Sequence, residues 1–302
     1  MEVIFGLEKI KLIQGSSFVT IGNFDGYHKG HKQLVEKVKE KAKSSGGSSV
    51  IISFFPHPQS LFVPDFKVIN PIEIKVEKLK KTEVDYLIII PFTKDFAGYS
   101  PKKFVQEILI NKLKCKGLVI GYDFCFGRNG EGNAKFLKKY SEFNTEVLDA
   151  VTFDNVVASS TLLRKALLDG DIQLFYNVAG EYPIYSGIVV SGLGLGKKMG
   201  FPTANFYLNS NTLYPKNGVY AVKVKVDGKT FSGVANFGTK PTIGNNKYGV
   251  EVHIFDLEKT LYGKMVCISL VKFLRSEQNF ENKIELINQV NNDIKDARRI
   301  LT

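Results

Sequence analysis

Two of the four histidines in this chain lie within one tetrapeptide, His28-Lys29-Gly30-His31. The tetrapeptide follows an apolar run and precedes apolar residues at helical spacing, so it is predicted to join a strand to the start of a helix. A helix start has unpaired backbone N–H groups and partial positive charge, which suits phosphate. Imidazoles at this point could donate hydrogen bonds to an α-phosphate as charge builds on it in a transition state. A pair of surface histidines on a loop is the alternative.

A second candidate phosphate site lies at residues 159–164, which read SSTLLR. Hydroxyls such as those of Ser160 and Thr161 are typical caps for a helix N-terminus. Arg164 follows one turn later, and its guanidinium suits the β- and γ-phosphates of a nucleotide. A plain capping motif on an amphipathic helix explains the same residues.

A glycine-rich stretch with two lysines, GLGLGKKMG, occupies residues 192–200. Its spacing is neither that of a Walker A loop nor that of a dinucleotide-binding fingerprint. The backbone amides of such a flexible loop can approach a polyphosphate closely. We therefore take Gly192, Gly196, Lys197 and Gly200 as candidate ATP-binding residues.

The segment directly after this loop, GFPTAN, contains Thr203 and Asn205. Two residues apart in an extended segment, their side chains are predicted to face the same way. Their oxygens could serve as hard ligands for a Mg²⁺ ion that bridges ATP phosphates. A polar strand edge beside a proline turn is the alternative.

Glu251 lies in an alternating run, Val250-Glu251-Val252-His253-Ile254. The alternation predicts a strand with Glu251 and His253 on the face opposite the valines. An exposed strand carboxylate is the usual explanation of such a residue.

The elements that must position these residues change in character along the chain. Up to about residue 180, short apolar runs at 18–22, 50–54, 86–90 and 117–121 alternate with helical segments at 31–42 and 101–113. This order predicts a parallel, doubly wound sheet, with ligands beyond the carboxyl ends of its strands. The serine- and glycine-rich stretch 44–49 is predicted to be a surface loop.

Beyond residue 182 the runs are separated by turns rich in glycine, proline and asparagine. The runs at 185–190, 219–226, 231–236, 250–255 and 268–273 predict a small antiparallel barrel, with a hairpin at Asp227-Gly228. Apolar residues at helical spacing predict a terminal helix within 280–301. The fold class is therefore α/β plus β, with domains at residues 1–181 and 182–302.

Composition narrows the functional classes. The chain has 302 residues, of which 44% are hydrophobic and 24% are charged, which argues against disorder. The net charge is +11, but only five of the 41 basic residues are arginines, and dispersed lysines mostly indicate a solvated surface rather than nucleic-acid binding. There is no apolar run long enough to span a membrane and no export signal, so we expect a cytoplasmic protein that binds neither membrane nor nucleic acid. Its three cysteines are scattered and are expected to be reduced.

Together, the histidine tetrapeptide and the SSTLLR segment resemble the HxGH nucleotidylyltransferase superfamily. More closely, residues 20–31 (TIGNFDGYHKGH), 55–58 (FPHP) and 121–127 (GYDFCFG) resemble the FMN adenylyltransferase module of the bacterial bifunctional riboflavin kinase/FAD synthetase family. This resemblance implies that one set of residues holds ATP: Asn23, Asp25, His28, His31, Ser160, Thr161 and Arg164. It also implies that Asp123 and Phe124 line the flavin side. The sequence departs from the family pattern at Cys125, where a basic residue is frequent, and His57 is either a pocket residue or a turn residue.

The glycine loop and GFPTAN resemble the riboflavin kinases, as do Asn236-Phe237-Gly238 and Pro241-Thr242. In that family the glutamate that matches Glu251 is the catalytic base for the ribityl 5′-hydroxyl. Arg275 matches a position near the flavin, although a salt-bridged surface arginine explains it equally. Glu181 is a second departure, because the family commonly has arginine there.

The resemblance implies an enzyme that phosphorylates riboflavin to FMN with MgATP and then adenylylates FMN to FAD, releasing pyrophosphate. Asp25 and Asp123 are not expected to act as general acid or base in the second step, because the FMN phosphate is already an anionic nucleophile. Two alternatives stay open: a chain that keeps only one activity, and a non-catalytic basic RNA-binding protein. The expected partners are riboflavin, FMN and ATP, and the sequence is compatible with a weak homo-oligomer.

Overall fold

The computed structural model describes residues 1–10, 15–192, 196, 199–242, 245–257 and 259–302, with backbone only at 240–242 and 245–247. These residues form two compact units, Met1–Ser160 and Thr161–Thr302. The domain boundary predicted after residue 181 lies later in the chain than this division and stays a prediction.

The described part of the first unit is built on strands of two to eight residues. They are β1 (Glu2–Phe5), β2 (Ser17–Ile21), β3 (Ser48–Phe55), β4 (Tyr86–Pro91), β5 (Cys115–Gly121), β6 (Cys125–Phe126), β7 (Gly132–Asn133), β8 (Asn144–Leu148), β9 (Thr152–Phe153) and β10 (Val156–Val157). One parallel sheet has the order β1-β4-β3-β2-β5-β8. The remaining strands form two short antiparallel pairs, β6 with β7 and β9 with β10. The predicted parallel sheet is confirmed.

Helices connect the strands of this sheet and continue past it. They are α1 (Lys29–Ser45), α2 (Ile72–Lys80), α3 (Lys94–Ala97), α4 (Pro101–Phe104), α5 (Ala134–Leu137), α6 (Ser160–Asp169) and α7 (Ile172–Ala179). The helix predicted over 101–113 is more complex than expected, because α4 continues into π-helical turns at Val105–Lys112. The loop predicted at 44–49 is wrong: α1 runs to Ser45, Gly46 ends it in the left-handed conformation at φ 63°, and β3 begins at Ser48.

The sheet is buried on both faces, as doubly wound topology requires. Along β3, Val50 and Ile52 belong to one apolar cluster, which includes Phe104 of α4. Ile51, between them, points to the other cluster, which includes Val35 of α1 and Leu79 of α2. Alternate side chains of one strand therefore hold helices on opposite faces, and the carboxyl ends of the strands are left to carry loops.

The second unit contains α6, α7, a β-barrel and a terminal helix. Its strands are β11 (Ile184–Ile188), β12 (Ala204–Tyr207), β13 (Gly218–Val226), β14 (Lys229–Thr242), β15 (Asn245–Ile254) and β16 (Met265–Arg275). They form an antiparallel sheet in the order β11-β16-β13-β14-β15-β12. Val190, just after β11, donates its N–H to Asn205 O of β12 at 2.7 Å, so the two edges of the sheet nearly close. The predicted barrel is confirmed.

Local sequence explains the turns and the packing of this barrel. Asp227 and Gly228 take φ values of 47° and 78° between β13 and β14, as a two-residue hairpin turn requires. The interior is filled by large buried side chains, among them Tyr185, Phe206, Tyr220 and Phe237. The terminal helix α8 (Lys283–Leu301) packs on the barrel. Its Ala297 and Leu301 form an apolar cluster with Ala221 and Phe255.

Candidate active sites

The first candidate site lies where the order of the parallel strands reverses. Chain connections leave β2 toward β3 on one side, whereas β5 lies on its other side. Crevices at such switch points, beyond the carboxyl ends of the strands, are where open α/β sheets bind ligands. His28 ends the turn between β2 and α1 and His31 lies in the first turn of α1, while the turn after β5 carries Asp123 and Phe124. The fold therefore brings two predicted site segments to one edge of one sheet.

The two histidines stack on each other at the start of α1. Their ring centroids lie 3.7 Å apart at 29°, and the ring of Phe24 lies 4.9 Å from that of His31. The Nδ1 atoms of both rings are buried, and no hydrogen-bond partner reaches them within the described part of the chain. The Nδ1 atoms therefore take no part in hydrogen bonds that hold this turn among the described residues.

Burial controls the charge of this pair. It lowers the pKa of His28 to about 4. Burial, followed by the charges of His28 and Lys75, holds the pKa of His31 well below its usual range. Both imidazoles are consequently neutral at pH 7, when each ring carries one N–H donor and one acceptor nitrogen.

Asp25 ties the histidine turn to the chain before α2. Its carboxylate accepts hydrogen bonds from Ile69 N at 2.9 Å and Asn70 N at 3.0 Å. The backbone carbonyl of Asp25 accepts a hydrogen bond from Ser160 Oγ at 2.7 Å. Asp25 is almost completely buried. The contacts of its carboxylate are those of a residue that shapes the turn, and its role in holding ATP stays a prediction.

Lys75 of α2 is a buried residue of this site that the sequence analysis missed. Its Nζ lies 3.3 Å from Phe54 O and 3.5 Å from Ser53 Oγ, and Ser53 Oγ in turn donates to Asn23 O at 3.2 Å. Burial lowers the pKa of Lys75 to about 8, and the charge of Asp25 opposes that shift. The available signal was its position, since Lys75 falls in the apolar stripe of α2 beside Ile74 and Leu79.

The other predicted residues of this site have more varied settings. Asp123 is exposed, and Phe124 is partly buried, with its ring stacked on that of Phe126 at 5.6 Å. Thr161 and Arg164 lie one turn apart near the start of α6, in the second compact unit. His57 is buried, and its Nδ1 accepts a hydrogen bond from Gln59 N at 3.2 Å in the turn after β3.

The second candidate site is a row of polar residues across three strands of the barrel. In the register of the sheet, Glu251 of β15 pairs with Asn205 of β12 on one side and with Asn236 of β14 on the other. Val250 and Val252 point into the core, so Glu251 points away from it, as predicted. Directly opposed residues in antiparallel strands project from the same face. The sheet thus aligns Asn205, Glu251 and Asn236 on the outer face of the barrel.

The glycine loop packs directly against this row. A side chain on Gly192 would place its Cβ 2.6 Å from Asn205 Nδ2, and one on Gly196 would place its Cβ 2.5 Å from Phe201 O. Gly200 has a φ of 88°, which favours glycine. Gly192 and Gly196 need glycine because neighbouring atoms come too close for a side chain, whereas Gly200 needs it for its backbone conformation. Lys197 lies outside the described residues.

Thr203 and Asn205 meet the expectation that they face the same way. Asn205 Nδ2 lies 3.5 Å from both Thr203 Oγ1 and Thr203 O. With its amide nitrogen turned to Thr203, Asn205 keeps its Oδ1 as an available acceptor. The described residues contain no group of three or more histidine, cysteine, aspartate or glutamate side chains that could hold a metal. The neutral oxygens of Thr203 and Asn205 fit Mg²⁺, which binds proteins through few ligands when phosphates supply the charge.

Arg275 has the salt-bridged setting that the sequence analysis kept as an alternative. Its guanidinium donates to both carboxylate oxygens of Asp293 in α8, at 2.9 Å from Nε and 2.8 Å from Nη2. Its Nη1 donates to Ser276 O at 3.1 Å. The pair is largely buried, with side-chain exposures of 17% for Arg275 and 6% for Asp293. These contacts fix α8 to the end of β16, and a flavin contact by Arg275 stays a prediction.

Two sites suited to phosphate thus occur on two different folds. A doubly wound sheet with imidazoles and a helix start at its switch point suits the transfer of a nucleotidyl group. A filled barrel with a glycine loop against a Thr-Ala-Asn strand and a nearby carboxylate suits phosphoryl transfer to an alcohol. The class defined by the chain is a bifunctional transferase that uses nucleotides.

Comparisons with known proteins agree with this division. The family model for FAD synthetase matches residues 10–162, and the model for riboflavin kinase matches residues 179–301. A solved structure from Streptococcus pneumoniae, described as a macrolide-efflux protein, is 28% identical, with a TM-score of 0.90 over 98% of each chain. None of the helices in the described part of the chain combines the length and apolar character needed to cross a bilayer.

Relatives of similar length carry one shared name, bifunctional riboflavin kinase/FMN adenylyltransferase. The protein of Buchnera aphidicola subsp. Acyrthosiphon pisum is 37% identical, covering 97% of this chain and 96% of the relative. The Escherichia coli K12 protein is 35% identical over 99% and 97%. The Bacillus subtilis protein is 33% identical over 96% and 94%. The chain belongs to the family of bifunctional riboflavin kinase/FMN adenylyltransferases, so the family and both activities expected from the sequence are confirmed.

Proposed function

We propose that the two activities are divided between the two sites, with riboflavin phosphorylated on the barrel and FMN adenylylated at the histidine turn. The observation that carries the barrel assignment is the alignment of Glu251 beside Asn205 in the sheet register. It puts a carboxylate next to the residues that suit a nucleotide-bound Mg²⁺. The stacked, neutral histidines at the start of α1 support the other half of the proposal.

In the kinase step, Glu251 takes the proton of the ribityl 5′-hydroxyl as the oxygen attacks the γ-phosphorus of ATP. A bond forms between that oxygen and phosphorus, the bond to the β-phosphate oxygen breaks, and ADP leaves. An alcohol needs such a base because it must lose its proton during attack. Gly192, Gly196, Lys197 and Gly200 approach the phosphates. Thr203 and Asn205 would hold Mg²⁺, which supplies positive charge to the phosphates.

In the adenylyl step, an FMN phosphate oxygen attacks the α-phosphorus of a second ATP, and pyrophosphate leaves. No general base is required, because the attacking phosphate is already anionic. His28 and His31 donate hydrogen bonds to α-phosphate oxygens as charge builds on them. In the neutral state each ring still carries one N–H that can donate such a hydrogen bond. Asn23, Asp25, Ser160, Thr161 and Arg164 complete the ATP side, with Asp123 and Phe124 on the flavin side.

Separation of flavins by chromatography tests the division. Wild-type protein with riboflavin, ATP and Mg²⁺ is expected to yield FMN and then FAD. Glu251→Gln should abolish FMN formation and leave FMN-to-FAD conversion intact, whereas His31→Ala should do the reverse. Loss of both activities in either variant, with the fold retained by circular dichroism, would contradict the assignment.

Several properties of the protein remain predictions beside this proposal. They are a requirement for Mg²⁺, a cytoplasmic location, the lack of nucleic-acid binding and a weak homo-oligomer. Omission of Mg²⁺ with a chelator should stop both reactions, and strongly salt-dependent retention of RNA would count against the expected set of partners.

A further inference from the structure

Asn236 lies beside Glu251, the proposed catalytic base, and its side-chain oxygen has no hydrogen-bond partner among the described residues. Its Oδ1 is buried, and no donor reaches it among the described residues. Buried acceptors are nearly always hydrogen-bonded, so an exception calls for an explanation. Asn236 pairs with Glu251 in the sheet register, so its side chain projects from the same face as the base.

The orientation of the Asn236 amide is set by Glu277, in the segment between β16 and α8. Asn236 Nδ2 donates to Glu277 Oε1 at 3.3 Å. A carboxylate only accepts, so it selects the NH₂ end of the amide and leaves the oxygen for another partner. Gly238 leaves room for Glu277 in this position, since the Cβ of any other residue there would force the carboxylate to shift. The chain therefore fixes an acceptor next to Glu251.

The buried Oδ1 of Asn236 needs a donor close to Glu251. The Cβ atoms of directly opposed residues in antiparallel strands lie about 5 Å apart. That spacing suits a polyol whose neighbouring hydroxyls each donate to one of the two side chains. The ribityl chain of riboflavin has such a pair in its 5′- and 4′-hydroxyls. An alcohol with a single hydroxyl, directed at Glu251, would leave Asn236 Oδ1 unpaired, which is costly.

We propose that Asn236 is a substrate-binding residue of the kinase site, where its Oδ1 accepts a hydrogen bond from the 4′-hydroxyl while Glu251 receives the proton of the 5′-hydroxyl. The assignment rests on the proposed function of the barrel. It makes Asn236 a determinant of specificity for a vicinal diol. Glu277 is a positioning residue that acts through the Asn236 amide.

A comparison of two enzymes with two substrates tests this assignment. The substrates are riboflavin and an analogue that lacks the 4′-hydroxyl, and the enzymes are wild type and Asn236→Leu. For the wild type, kcat/KM for phosphorylation should be about fivefold lower with the analogue, as expected for one hydrogen bond lost. In Asn236→Leu, kcat/KM for riboflavin should fall by a similar factor, and kcat/KM for the analogue should be no lower than that for riboflavin. An analogue penalty of equal size in both enzymes would overturn the proposal.

Further variants separate recognition from damage to the fold. Asn211→Leu, at an exposed asparagine outside the row, should keep the full analogue penalty. Glu277→Ala frees the Asn236 amide to turn, so the penalty should shrink to about twofold. If Asn236→Leu fails to fold, Asn236→Ser serves in its place, with a reduced penalty expected and an unchanged one overturning the assignment. Formation of FAD from supplied FMN shows in every preparation whether the adenylyl site is intact. Absence of FMN with the wild type would instead refute the proposed function of the barrel.

Discussion

Acid should destabilise this protein through the histidine turn, by an amount that can be worked out. His28 has a pKa of about 4 in the folded chain and an ordinary value of 6.5. A lowered folded pKa means that, as the pH falls below 6.5, the unfolded chain binds a proton that the folded chain does not. Stability is therefore lost between pH 6.5 and pH 4. At pH 5 the loss amounts to about 2 kcal/mol, whereas at pH 7.5 it is close to zero.

Replacement of His28 by glutamine removes that proton uptake. The free energies of unfolding of the variant and of wild type are measured in urea titrations followed by far-UV circular dichroism. The value for the variant minus that for wild type should be about 2 kcal/mol larger at pH 5 than at pH 7.5. Leu34→Ala is the control, because this buried residue of the same helix α1 does not titrate and should be destabilising by an equal amount at both pH values. The reasoning would be refuted if the free energy of unfolding of His28→Gln minus that of wild type changed by less than about 0.5 kcal/mol between the two pH values. A midpoint near 6.5 for the His28 ring in an NMR titration would also refute it.

Three further predictions concern the barrel and the cysteines. Gly192→Ala, whose Cβ would lie 2.6 Å from Asn205 Nδ2, should lower riboflavin kinase activity at least about tenfold while FAD formation from FMN is unchanged; equal kinase rates would contradict the close packing. Asp293→Ala leaves Arg275 buried without its partner and should lower the free energy of unfolding by about 3 kcal/mol, measured in urea, and a change within error would show the pair to be dispensable. Burial raises the pKa of Cys115 to about 12, so iodoacetamide at pH 8 should modify the exposed Cys125 long before Cys115, and similar rates by peptide mass spectrometry would count against this burial.

The sequence was informative where local pattern and burial agree. Apolar runs predicted the buried strands β2 to β5, runs between turn-rich segments predicted β13, and alternation predicted β15. The missed strands β1 and β8 lie at the two edges of the parallel sheet. β8 reads NTEVL and has no fully buried residue, so no burial pattern distinguishes it. The apolar spacing at 101–113 predicted a single helix and gave no sign of the π-helical turns at Val105–Lys112.

The candidate sites show the same division. Motifs identified His28, His31, Thr203, Asn205 and Glu251, because each belongs to a short run with its own chemistry. The alignment of Asn205, Glu251 and Asn236 is a matter of strand register over tens of residues, which no local pattern encodes. Lys75 was missed because the sequence does not show whether a lysine within an apolar stripe is buried or extends to the surface.

Because the interior of the barrel is filled, alternate residues of one strand are under different selection, for core packing on the inside and for chemistry on the outside. On β15, the inward Val250 and Val252 belong to the buried core, whereas the outward Glu251 is the proposed catalytic base. Neighbouring codons of one strand can therefore drift under unrelated pressures. Substitutions that repack the inside of this barrel are therefore expected to change its heat resistance and to leave the chemistry on its outer face unchanged.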